Sequence, residues 1–118
     1  MLNKDEVGRR GEQLAVDHLI AAGYRVLDRN WRCREGELDV VALDGDELVV
    51  VEVKTRTGLG YGHPFEAVDR DKLHRLGVLA SRWRGAHRGV ARSTRIDLIA
   101  VVLGRHVPPV IDHMRAVA

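Results

Sequence analysis

The 118-residue chain is predicted to fold as an α/β domain, a sheet of about five strands flanked by helices. Three observations carry this. β-Branched and apolar runs recur at residues 25–30, on both sides of 44–46, at 94–103 and around 110–111; apolar residues at helical spacing fill 4–22 and 70–84; Gly, Asp and Pro punctuate the joins. Composition sets the class. With 45% hydrophobic and 31% charged residues the chain reads as soluble and globular, a single domain over 1–118 that buries roughly two-thirds of its unfolded surface. No apolar run approaches the ~20 residues that cross a bilayer, and the start Met-Leu-Asn-Lys-Asp-Glu is charged where a signal peptide is apolar. A cytoplasmic protein without a membrane partner is the expectation.

Asn3 and Glu6 stand at the N-cap and N3 positions of a capping box, which opens a helix running to about Ala22, where Gly23 stops it. Val7, Gly11, Leu14, Ala15, His18, Leu19 and Ala22 share one face, with Glu12 at its edge and His18 read as a core-edge residue. Gly8 and Gly11 each cost up to about 1 kcal/mol relative to alanine, a cost that makes sense where a helix must approach another backbone closely. A first strand follows from about Arg25 to Asn30, and 32–36 is expected to be a loop.

In residues 36–55 two apolar runs flank Asp44-Gly45-Asp46, the pattern of an antiparallel hairpin. A Gly45-Asp46 turn pairs Asp44 with Glu47, sets Asp39 opposite Glu52 and sets Glu37 opposite Lys54. Period 2 then groups Glu37, Asp39 and Val41 on one face, and Val50, Glu52 and Lys54 on one face. A turn at Asp44-Gly45 makes Asp39 and Glu52 diagonal neighbours instead, and a one-residue slip without a bulge separates them onto opposite faces. Opposed carboxylates with Cβ atoms about 4.5–5.5 Å apart repel. A hard divalent cation such as Mg²⁺ relieves that repulsion, and Lys54 adds a fixed positive charge. Acidic residues at strand ends are often simply solvated. Here, however, Glu52 and Lys54 interrupt Val49-Val50-Val51 and Val53, a buried run in which charge is costly unless paired or bound to metal.

Residues 56–64 hold three glycines and a proline and form a loop beside this stretch. Arg56 is placed to contact a phosphate. Tyr61 and His63 either touch a base or sugar or belong to a plain flexible connection. Asp69 caps a second helix, about Arg70 to Arg84, with Leu73, Leu76, Leu79, Ala80 and Trp83 facing the core. Residues 85–93 read as a surface loop. Thr94 to Leu103 forms a strand buried on both faces, in which Asp97 pairs with Arg95 two residues earlier. Pro108-Pro109 confine a short last strand at Val110-Ile111 to an edge, before a frayed tail. Cys33, the lone cysteine, offers neither a disulfide nor a zinc knuckle and reads as a packed or partly exposed thiol.

The net charge of +2 decides little, but its distribution is uneven. Acidic residues concentrate before residue 72, whereas Arg75, Arg82, Arg84, Arg88, Arg92 and Arg95 run almost unopposed with His74 and His87 among them. A basic side next to an acidic pocket suits a phosphate-backbone substrate; a compositional preference for arginine explains the run equally well.

Glu12, Gly36-Glu37-Leu38-Asp39 and Val51-Glu52-Val53-Lys54-Thr55-Arg56 together resemble the bacterial YraN-like family of predicted endonucleases, similar to archaeal Holliday-junction resolvases and the restriction-endonuclease-like PD-(D/E)xK superfamily. The likeness extends through Gly60-Tyr61-Gly62, Ala67-Val68 and Arg95-Ile96-Asp97, and Leu38 stands where a proline often precedes the aspartate. It implies a mixed, restriction-endonuclease-like sheet carrying a Mg²⁺ or Mn²⁺ site, with Asp39, Glu52 and the Val53 carbonyl as ligands and Glu12 as an outer ligand. Lys54 would orient or help deprotonate the attacking water and steady the phosphorane. Glu37 would pair with Lys54 or help hold a second ion. Arg56, Tyr61 and Arg75 would meet nucleic acid, and a homodimer is one arrangement the likeness to junction resolvases suggests. The implied activity is hydrolysis of phosphodiester bonds in DNA, branched or structured DNA included. The alternative is a non-catalytic nucleic-acid-binding or assembly module that retains the fold; a protein-interaction domain with a structural ion site is a third reading.

Overall fold

Gly45, at φ 64°, makes the turn that fixes the sheet. In this computed structural model, which describes residues 2–58 and 68–118, strand β2 (Gly36–Asp44) and strand β3 (Glu47–Thr57) pair antiparallel from Asp44↔Glu47 to Val40↔Val51. This is the register expected of a two-residue turn. Strand β1 (Arg25–Cys33) pairs antiparallel with β2, so the expected 32–36 loop is a tighter turn in which Cys33 already pairs with Gly36. Strand β4 (Ser93–Gly104) runs parallel to β3 from Glu47↔Ser93 to Thr57↔Leu103, and strand β5 (Val107–Met114) closes the order β1-β2-β3-β4-β5. The sheet is therefore mixed, with five strands among the described residues. Pro108 and Pro109 lie in β5 at the edge, where their missing N–H groups cost nothing.

One helix covers each face. Helix α1 (Lys4–Ala21) begins at Asn3, whose side chain accepts from Glu6 N–H at 2.9 Å, and ends before Gly23 at φ 93°. It packs Ala15, Val16 and Leu19 against Val40, Ala42, Val49, Val51, Ile99 and Val101. A Cβ on Gly11 would stand 1.8 Å from Thr55 Oγ1, so Gly11 permits the close approach expected of the glycine pair. Gly8 meets nothing within 4 Å and takes no part in it. Helix α2 (Arg70–Ala86), capped by Asp69 on Lys72 N–H, sets Leu76, Leu79, Ala80 and Trp83 against Leu38, Val41, Leu48, Val50 and Ile96 on the other face. Trp83 is buried, donates Nε1–H to Asp28 and stacks on His87, in keeping with a core role. No described helix is long and apolar enough to cross a membrane.

The tail is not frayed. Ala116 N–H bonds Asp97 Oδ1 at 2.9 Å, and Ile96 exchanges backbone hydrogen bonds with Val117 and Ala118. Asp97 thus collects the end of the chain in addition to Arg95, whose guanidinium reaches it at 3.0 Å as the sequence spacing indicates.

Candidate functional site

The two neighbours of β2 part from it at one residue. The β1–β2 ladder passes from Arg29↔Val40 to Trp31↔Leu38 without matching Asn30 to Asp39, and Asn30 takes φ 52°. The β2–β3 ladder stops at Val40↔Val51. Strict alternation breaks there: Val40 packs on the α1 side, whereas Leu38 and Val41 both pack on the α2 side. The simple grouping of Glu37, Asp39 and Val41 on one face is therefore corrected by an interruption of the strand, not by a slip of register. Released from the ladder, the Asp39 side chain accepts the Val53 N–H at 2.9 Å.

That bond sets Asp39 beside Glu52, close enough for each carboxyl to shift the other's ionisation. Burial, the hydrogen bond and the charge of Glu52 push Asp39 up to about 8, helped by Glu12 and opposed by the Val53 N–H. Glu52, only 6% exposed, moves the other way. Its burial opposes ionisation, but hydrogen bonds from Asp39 and Lys72 and the charge of Lys54 outweigh that cost. Burial and the closeness of two like charges thus favour a proton shared by the pair. Lys72 Nζ lies 2.5 Å from Glu52 Oε2. Two carboxylates are balanced by one proton and one ammonium, the charge a divalent cation would supply.

Asp39, Val53, Lys54, Arg56 and Glu12 line a single open cavity of about 570 Å³, with Lys4, Arg32 and Glu37 on its wall. Glu52 is not on this wall; its carboxylate is turned to α2 by Lys72. Glu12 is held by Arg29 and Asn30: its Oε1 accepts from Arg29 Nε at 3.2 Å and Asn30 Nδ2 at 3.0 Å, and lies 3.1 Å from a second Arg29 nitrogen. Glu37 is paired with Arg32 at 3.4 Å and not with Lys54. Arg56 is exposed and bonds the Thr55 carbonyl, while Arg75 is exposed on α2 away from the cavity wall. Tyr61 and His63 lie outside the described residues. Among the described residues no three His, Cys, Asp or Glu side chains converge closely enough to form a complete metal cage. The donors that fit a cation are two carboxylates and a strand carbonyl, leaving the remaining positions to water or substrate, the pattern that suits Mg²⁺.

The expectation that these arginines run almost unopposed is also corrected. Arg95 is half-buried among Asp44, Glu47, Asp97 and Tyr24; Arg82 meets Glu35; Arg92 meets Asp46. Strand pairing brings acidic residues of the first half alongside arginines of the second, an adjacency invisible to a charge count along the chain. Lys72 is the residue the sequence reading passed over. Its signal was present: a lysine three residues past the Asp69 cap sits in the first helical turn, where the helix dipole disfavours a cation that lacks a partner.

Comparison with known sequences places this geometry in a lineage. Residues 11–101 match the description "Uncharacterised protein family UPF0102", a span that holds Glu12, the whole hairpin and Asp97. The chain belongs to the UPF0102 family. It is 54% identical to the UPF0102 protein of Paenarthrobacter aurescens over 99% of this chain and 97% of that one. The UPF0102 proteins of an Arthrobacter species and of Streptomyces coelicolor are each 53% identical, covering 99% and 95% of this chain and 99% and 88% of their own length. The resemblance to the YraN-like family is thereby supported as a family relationship, and these UPF0102 proteins match the chain almost end to end.

Proposed function

We propose that this UPF0102 protein is a divalent-metal-dependent nuclease acting on DNA. The observation that carries the reading is Asp39, held by the Val53 N–H beside the buried Glu52, on the wall of a solvent-open cavity that Lys54 also lines. Asp39, Glu52 and the Val53 carbonyl are the groups that would hold Mg²⁺ or Mn²⁺. When bound, the ion would supply Lewis-acid stabilisation of a phosphoryl oxygen and acidify a water. The protein's own part is to position its ligands: Val53 N–H fixes Asp39, and the antiparallel β2 and β3 bring Asp39 and Glu52 to neighbouring stretches of backbone. Lys54, on the cavity wall, orients the attacking water and offsets negative charge that grows only in the transition state. Arg56 lies on the same wall and meets the neighbouring phosphate.

Incubation of the purified protein with junction, flap and linear DNA plus Mg²⁺ or Mn²⁺ tests this. Cleavage is expected to be lost in Asp39→Ala, Glu52→Ala and Lys54→Ala; cleavage that survives all three belongs to a contaminant and removes the assignment. One observation favours the second reading, a DNA-binding or assembly module: Glu12 is engaged with Arg29 and Asn30 and no third acidic ligand converges among the described residues. Salt-dependent DNA binding with neither turnover nor bound Mn²⁺ would select that reading.

A further inference from the structure

The ion pair between α2 and β3 has no role in the function proposed above, yet it engages one of its two carboxylates. Lys72 Nζ meets Glu52 Oε2, and Glu52 is turned toward α2 instead of lining the cavity. We propose that Lys72 is a displaceable counter-ion. It holds Glu52 back while the site lacks a divalent cation, and releases it when such an ion binds between Asp39 and Glu52. This rests on the reading of Asp39 and Glu52 as the cation site.

Three features distinguish this pair from a permanent structural bridge. Glu52 is met by a side-chain group that can leave, the Lys72 ammonium. Asp97, in contrast, is fixed by a backbone N–H and a two-point guanidinium. The Lys72 side chain is 32% exposed while Glu52 is almost fully buried, so the ammonium can swing into water on its four-carbon stem without rearranging the core. Finally, Lys72 lies in the first turn of α2, where the helix dipole favours anions, and its pairing with Glu52 offsets that penalty. A divalent ion that takes over the Glu52 charge removes the reason for the ammonium to stay.

The two roles predict opposite signs. A structural bridge, once cut, leaves a poorer site; a competing counter-ion, once removed, leaves a tighter one. Mn²⁺ binding is measured by calorimetry near neutral pH on the full chain, wild type against Lys72→Met, with Asp39→Asn as the control that removes a ligand. Lys72→Met is expected to bind Mn²⁺ about five-fold or more tightly than wild type, within the usual range of a coupling between two sites. Equal or weaker binding in Lys72→Met, beside measurable binding to wild type, overturns the proposal and leaves the cation site standing. No binding to either protein overturns both. Because Lys72→Met leaves Glu52 with one partner fewer, a second measurement uses the wild type alone. In lysine-¹⁵N-labelled protein the Lys72 ammonium resonance is expected to shift toward that of a free lysine as Mg²⁺ is added. A resonance unmoved at Mg²⁺ saturation overturns the proposal.

Discussion

Asp97 and Asp39 are both aspartates within apolar strands of one sheet, and their surroundings treat the charge in opposite ways. Asp97 is fully buried and ionised. Burial opposes its charge, but Arg95, the Ala116 N–H and His113 together hold its carboxyl below the usual carboxylate range. Arg95 is in turn raised, since the bonds from Asp97, Asp44 and Glu47 outweigh its own burial. Asp39 has a backbone N–H as well, but its neighbours are carboxylates, and it keeps its proton to about 8. One centre is closed upon itself. The other is short of positive charge and faces a cavity, and that asymmetry separates a structural aspartate from a candidate ligand.

Breaking the closed centre should have the largest effect. Asp97→Ala leaves the Arg95 guanidinium half-partnered and frees the tail at Ala116, and is expected to cost about 3 kcal/mol in chemical denaturation near neutral pH. The open centre should respond with the reverse sign. Asp39→Asn keeps an acceptor for Val53 N–H and a donor for Glu52 without the titration. A carboxyl whose folded pKa is raised contributes stability that is complete below its unfolded value near 3.8 and is lost as pH rises through about 8. In metal-free buffer Asp39→Asn should therefore equal wild type near pH 4 and exceed it by on the order of 2 kcal/mol at pH 8, read from denaturation curves across that range. Mg²⁺ or Mn²⁺ should raise the wild-type midpoint more at pH 8 than at pH 5 and leave Asp39→Asn unmoved; equal shifts in both proteins would argue against the site.

The smallest effect concerns the outer edge of the closed centre. His113 bridges Asp97 at 2.8 Å and His18 at 3.1 Å, tying β5 to α1. Burial, His113 and Arg115 depress His18. A histidine so depressed contributes stability above 6.5 that is lost as pH falls through its lower folded value. His18→Leu is expected to remove this contribution, so that its stability relative to wild type rises by about 1 kcal/mol as pH falls below 6.5, read from the thermal midpoints of the two proteins compared at each pH.

Much of this architecture is local, and local features are legible in a sequence. The Asn3 cap, the Gly45-Asp46 turn and the Asp44↔Glu47 register follow from backbone preferences acting over a few residues, so the nearness of Asp39 to Glu52 could be reasoned out from the hairpin, although the ladder itself stops at Val40↔Val51. Pro108 and Pro109 announced an edge strand for the same reason. The face change at Asp39 could not be read in advance, because it arises from a second strand failing to match at Asn30. Nor could the other partners of Arg95, or those of Glu12 and Glu37, which lie 17 to 71 residues away or across a turn.

What the chain determines unaided is which groups lie close along it: the helices, the hairpin and the Asp39, Glu52 and Lys54 pattern. Only folding decided how those charges are balanced, by carrying Lys72 on α2 to Glu52 and the tail to Asp97. The reason is physical. Backbone preferences act over a few residues, whereas burial and ion pairing depend on distances through space, which exist only once the sheet and both helices have assembled.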